Sequence, residues 1–310
     1  MLASDYDEGK LKFPLIWQPK IDGVRGMHLT GAGLLGRSGK QHKNRFTTEL
    51  FSHRAFFGID GEFAAQSETH PDLCRLTTSA LNTIEGSPFV LWHAFDFLIE
   101  RLVEEPYLER LLVLHGHVKL LKMRHPELGN RIRVVPWTMC NSIEELNALD
   151  AKALDAGYEG SIVRDPEGRY KQGRSTPREG GLLRIKRFVE EEALVVVIEE
   201  GVTNLNDATL SPHGYTERST HQENMAPNGL VGSLQCKLLK DLMAGSKLVG
   251  RAGDIITVSA GCMDHAQRKH YFENQDEIIG KVIKFQFFPK GVLNKPRFPT
   301  FKCIRAESDL

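Results

Sequence analysis

Lys20-Ile21-Asp22-Gly23 follows the apolar run Leu15-Ile16-Trp17 and precedes Arg25, so an amine stands at the end of a β-type segment. A lysine attacks phosphorus only as the neutral amine, which calls for neighbouring positive charge or a desolvated setting. Gly23 is expected to let the backbone turn closely beneath a nucleotide. Taken singly, K-x-D-G is a common surface turn. Further pieces follow it in order. Gly36-Arg37-Ser38-Gly39-Lys40 is a basic turn suited to phosphate oxygens, although alone it reads as an ordinary hairpin. Asp60-Gly61-Glu62 places a carboxylate at a strand edge, and Phe95-Asp96 lies in an apolar strand where a core phenylalanine is the bland expectation. Glu159-Gly160-Ser161-Ile162-Val163-Arg164 supplies a second carboxylate at a strand start. Leu182-Leu183-Arg184-Ile185-Lys186 alternates apolar side chains with two cations, which puts Arg184 and Lys186 on one face. That face could hold the α-phosphate of a nucleotide while the carboxylates hold a divalent metal.

The elements that must position these groups change character along the chain. From Leu15 to about Arg187, short β-type runs (LIWQP, VRGMHL, FGIDGEFAA, FVLWHAFDFL, GSIVRD, LLRIKRF) alternate with helix-like segments, which predicts an α+β domain over residues 1–187. A helix is expected from Tyr107 to Leu121. Another should run through SIEELNALDAKALDAG, opened by a Ser142/Glu145 capping box and stopped at Gly157. Residues 188–310 hold four or five short strands with one helical stretch, HAQRKHYFENQDEIIG, before the penultimate strand, and fit a small all-β barrel of the OB type. Residues 201–228 are polar and without periodicity, and are expected to form a long loop inserted between the first two barrel strands.

Composition bounds the class. The chain has 310 residues, 41% hydrophobic and 26% charged, as in ordinary globular proteins. No segment approaches the roughly 20 apolar residues of a membrane span, and the start lacks a signal-peptide core, so a cytoplasmic protein is expected. Cys74, Cys140, Cys236, Cys262 and Cys303 are scattered and form no C-x-x-C pair, which argues against a zinc-finger arrangement. Net charge is zero, but its distribution is uneven: residues 190–228 carry eight acids against Arg218 alone, while residues 229–310 hold thirteen Lys and Arg against eight acids. A local basic face suffices for binding a polyanion, so the balance neither supports nor excludes DNA.

The ordered set, from Trp17 to Arg305, resembles the covalent nucleotidyltransferases and, within them, the ATP-dependent DNA ligases, in a bacteriophage-type minimal two-domain form. The resemblance implies an adenylation (nucleotidyltransferase) domain followed by an OB-fold barrel, with Lys20 as the adenylated nucleophile. It implies Gln18 at the adenine edge, Arg25 among the nucleotide contacts, Arg37 on the ribose and later the nick phosphate, and Phe95 stacked on adenine. Glu62 would lie near the ribose, with Glu62 and Glu159 as the metal-associated carboxylates, and Lys186 would be the second lysine of the L-L-K-x-K strand. Two positions depart from the pattern: Gly36 replaces a serine, and Arg184 replaces the first lysine, keeping charge but not shape. Arg297-Phe298-Pro299-Thr300-Phe301 resembles the R-x-P-x-F element whose arginine orients the pyrophosphate leaving group. ATP, Mg²⁺ or Mn²⁺, nicked double-stranded DNA as partner, no membrane, and a monomer are the implied cofactors and associations. An RNA ligase or capping enzyme is the near rival, against which the R-x-P-x-F strand argues. An inactive DNA-binding OB protein is the distant one.

Overall fold

The computed structural model describes residues 1–29, 31–210, 216–245, 247–289 and 295–305, which divide into two compact units, Met1–Lys186 and Arg187–Leu310.

The first unit contains two five-stranded sheets. One runs in the order Ser4–Asp5, Leu183–Lys186, Gly160–Arg164, Leu15–Lys20, Thr138–Cys140. The other runs Gly33–Gly36, Val24–Leu29, Ile59–Ala64, Leu91–Phe97, Ile132–Val134. Strand alternation sorts the side chains of the first sheet. Leu15, Trp17, Val163, Leu183 and Ile185 pack with Leu146 and Ala153 of the helix Ile143–Asp155. Ile16 points the other way, into a core shared with Phe63, Trp92, Phe97 and Tyr107 of the second sheet and its helix Tyr107–Arg124. Gln18 and Lys20 follow Ile16 at period two, so they face the second sheet as well. The register Gln18↔Ile162, Lys20↔Gly160, Ile162↔Arg184 and Gly160↔Lys186 carries that face across three strands.

Two glycines permit close approach. A Cβ on Gly160 would meet the Ile185 carbonyl oxygen at 2.3 Å, and one on Gly23 would meet the Phe63 carbonyl oxygen at 2.1 Å and the Glu62 side chain at 2.8 Å. Gly23 thus makes room for the neighbouring strand and for Glu62, a different service from the turn beneath a nucleotide that the sequence suggested. The helix expected to end at Leu121 continues to Arg124. At the helix Ile143–Asp155, Ser142 accepts from the Glu145 backbone N–H, but the Glu145 carboxylate takes the Asn141 N–H at 2.7 Å, so only half of the expected box forms. A full capping box appears instead at Asp264 and Gln267, opening the helix His265–Glu273.

In the second unit, Val189–Asn204, Met225–Leu238, Ile255–Ser259, Arg297–Ile304 and Val282–Phe288 close into a five-stranded barrel around Val195, Leu234, Val258, Phe285 and Phe287. The expectation of a long loop over 201–228 is corrected here. The first two barrel strands continue as a ribbon to the pair Asn204↔Met225, and Ala208–Leu210 pairs with Thr216–Arg218 beyond it. Asn206, largely buried, donates to the Ser219 and His221 carbonyls and holds the base of that hairpin. Backbone ladders need no apolar alternation, so a ribbon with polar side chains leaves no period in the sequence. Residues 211–215 of the expected loop lie outside the described residues.

Candidate active site

Lys20 ends its strand half-buried, and its ammonium pairs with Glu159 Oε2. Glu159 immediately precedes the strand Gly160–Arg164, and its backbone N–H donates to the Lys20 carbonyl at 3.0 Å. On its other oxygen, Glu159 receives Lys186 Nζ at 2.5 Å. One carboxylate therefore bridges two lysines from adjacent strands. Burial alone would raise the Glu159 carboxyl, but Lys20 and then Lys186 outweigh it and hold the group below the usual carboxylate range. Glu62 shows the opposite balance: burial pushes it up to about 7, against the pull of Lys20 and Arg25.

The structure brings Gln18, Lys20, Glu62, Glu159 and Lys186 into one neighbourhood and gives the other expected residues separate settings. Arg25 does not present a bare fork to a nucleotide. It grips Asp60 through Nε at 2.9 Å and Nη2 at 2.6 Å, and the Met1 carbonyl through Nη1 at 2.6 Å. Arg184 pairs with Asp5 at 2.7 and 3.2 Å, which is the fork geometry a lysine would not supply. Arg37 is exposed on its turn, where Gly36 N–H donates to the Lys40 carbonyl, and lines a groove with Val24, Lys40, His42, Lys43 and Asn82. Phe95 is the extra residue of a β-bulge between the pairs Asp60↔Asp96 and Gly61↔Ala94. It is half-buried against the cluster of Ile21, Ala64, Leu73 and Val135. Arg297 belongs to the barrel unit, with its guanidinium 5.6 Å from the Phe288 ring and 5.1 Å from the Phe298 ring. Phe298, with φ of 55°, is the one non-glycine in the left-handed region among the described residues.

A second cluster was missed in the sequence. Asp96, fully buried, receives Arg110 Nε at 2.8 Å and Nη2 at 3.1 Å, and Arg164 Nη2 at 2.8 Å. Burial would raise Asp96, yet the two guanidinium groups hold it at about 2. Arg164 also lies 3.5 Å over the ring of Tyr107, whose hydroxyl sits between Gln18 and the Phe95 carbonyl. The available signal was charge on apolar faces: Arg110 stands three residues after Tyr107 and four before Leu114 on the buried stripe of its helix. No group of three or more His, Cys, Asp or Glu side chains is gathered for a metal among the described residues, and no helix among them is long and apolar enough to cross a membrane.

Comparison with known proteins agrees on the kind of molecule. The DNA ligase of Enterobacteria phage T6 is 23% identical over 337 residues, a match covering 92% of this chain and 62% of that protein, so the chain spans about three fifths of the relative. The Chlorella virus DNA ligase-adenylate is 25% identical, with a TM-score of 0.52 over 98% of each chain. A structure of the minimal-scaffold Lig E DNA ligases, 19% identical, shares the fold at a TM-score of 0.64 over 98% of each chain. The profile of the ATP dependent DNA ligase domain matches residues 1–186, well over half the sequence, and the chain belongs to that family.

Proposed function

We propose that this protein is an ATP-dependent DNA ligase that seals nicks in duplex DNA through an AMP group carried on Lys20. The observation that carries the reading is the Lys20–Glu159–Lys186 bridge, set at the ends of adjacent strands in a chain of this family. In the first step Lys20 Nζ, having lost its ammonium proton, bonds to the α-phosphorus of ATP, and the α–β bridging bond breaks to release pyrophosphate. In the second, a 5′-phosphate oxygen at the nick takes the AMP and the Lys20 N–P bond breaks. In the third, the 3′-hydroxyl attacks that 5′-phosphorus and AMP leaves. Negative charge develops on nonbridging oxygens throughout, and Lys186, Arg184 and Arg37 are the cations assigned to it.

The residues present fit the nucleotide. Gln18 keeps one end of its buried carboxamide without a partner, and Phe95 is turned out of its ladder by the bulge. Arg25 would act through Asp60 by fixing the strand beside Glu62. Two carboxylates near Lys20, Glu62 and Glu159, match the donor set of a magnesium ion that completes its shell with water and phosphate. When bound, the metal would neutralise phosphate charge, and Glu159 would exchange a lysine for it. The barrel is read as the OB domain, its polar ribbon as a DNA contact, and the working protein as a cytoplasmic monomer.

Incubation with α-labelled ATP tests the reading, with label expected to stay on the denatured protein and to be discharged by nicked DNA faster than by nicked RNA. Arg297→Ala separates the steps. With the leaving-group role, its adenylation rate falls by about 10²-fold while sealing of a pre-adenylated nick is spared. Equal losses in both would make Arg297 a barrel-packing residue instead.

A further inference from the structure

The buried contact between Tyr107 and Gln18 deepens the adenylating function proposed above and rests on it. Tyr107 opens the helix Tyr107–Arg124, fully buried, with its hydroxyl 2.8 Å from the Phe95 carbonyl oxygen and 2.9 Å from the Gln18 carboxamide. Burial pushes the phenol up to about 12, so at neutral pH the hydroxyl has one proton to give. Phe95 is the bulged residue, and a bulge leaves its extra residue outside the ladder. A carbonyl only accepts, so the Tyr107 proton goes to Phe95. Gln18 must then be the donor to the Tyr107 oxygen.

The two ends of a carboxamide have nearly the same shape, and their hydrogen bonds decide which is which. With the amide oxygen toward Tyr107, the oxygen meets a hydroxyl whose proton is committed elsewhere, and Nε2 is buried without a partner. A half-turn of the amide removes both conflicts. Nε2 donates to Tyr107, and Oε1 becomes the end without a protein partner. Gln18 lies on the face of its strand that carries Lys20, two residues along, which is the side a bound nucleotide must occupy.

We propose that Tyr107 is a positioning residue that engages the Gln18 amide nitrogen and so fixes Oε1 as an acceptor toward the base. An acceptor there pairs with a purine that carries an amino group at C6 and opposes one that carries a carbonyl. The buried Asp96–Arg110–Arg164 cluster serves this arrangement by holding the Tyr107 ring under Arg164.

The test is single-turnover adenylation with ATP and with inosine triphosphate, over a range of concentrations, alongside the melting temperature of each variant. Tyr107→Phe keeps the ring and removes the hydroxyl, leaving the amide free to turn to suit either base. A buried polar group left unpaired costs about 1–3 kcal/mol, so the wild type should prefer ATP by about 30-fold and Tyr107→Phe by about threefold. The change should appear in the half-saturating concentration and leave the maximal rate in place. Gln18→Glu added to Tyr107→Phe offers an acceptor at both ends and should restore the preference. Gln18→Leu, which leaves Tyr107 and its packing intact, should give the low ratio by itself. An unchanged ratio in Tyr107→Phe, including equal losses with both nucleotides, overturns the positioning role, as does a failure of Gln18→Glu to restore it or of Gln18→Leu to lower it. If wild-type protein takes no label from ATP, the adenylating function itself has failed, whatever the variants do.

Discussion

Two buried carboxylates in the first unit each sit between two cations, and they are built for different purposes. Glu159 lies between Lys20 and Lys186, and Asp96 lies between Arg110 and Arg164. The lysines are compact charges on flexible stems, half-buried at strand ends, a setting that leaves them freer to change partners than a fixed fork. The guanidinium groups are planar forks, almost wholly buried, with further donors directed to the Glu105, Gly168 and Gly181 carbonyls. The same two-to-one charge count therefore gives a centre able to rearrange in one place and a fixed strut in the other. Lysine or arginine around the carboxylate decides which.

Mutation should separate the two. The largest effect is expected from Lys20→Ala, which should abolish the AMP adduct, and Lys20→Arg should fail equally because arginine keeps its proton. An adduct persisting in either variant would remove Lys20 from the centre of the scheme. Next, Glu159→Gln should lower single-turnover adenylation by about 10²- to 10³-fold with little change in melting temperature. Asp96→Asn should reverse that pattern. Stripping the charge from a buried pair is destabilising by about 3–5 kcal/mol, so melting temperature should drop while adenylation per folded molecule falls far less. Matching stability losses in Glu159→Gln and Asp96→Asn would erase the distinction.

The smallest effects are expected in pH dependence, and their signs differ. Glu62 rises on folding from 4.5 to about 7, so the folded state holds its proton more tightly, and the stability this contributes is lost as pH climbs from 4.5 through 7. Asp96 falls from 3.8 to about 2, so its contribution is present above 3.8 and lost as pH drops through 2. Denaturant melts across pH should show Glu62→Gln flattening the upper window alone. A slope there that survives Glu62→Gln belongs to another group.

Much of the candidate site was legible in the sequence because its pieces are local: Lys20 and Lys186 each end a strand, and Glu159 stands immediately before one. Pairing choices were not legible. Nothing near Arg25 announced Asp60, thirty-five residues away, and nothing near Arg184 announced Asp5, its partner on the neighbouring strand but far away in the sequence. The Asp96 cluster draws on two strands and a helix, so it exists only after the chain is folded. The polar ribbon beyond the barrel was read as a loop because its order lies in backbone pairing, which side-chain periodicity does not report.

The central claim is that Lys20, and no other amine, receives AMP. Labelling the wild-type protein with ATP, digesting it and locating the added AMP by mass spectrometry tests this directly. The account predicts a single modified peptide with the AMP on Lys20. AMP found on Lys186, the other lysine sharing Glu159, or on any other lysine, would contradict it.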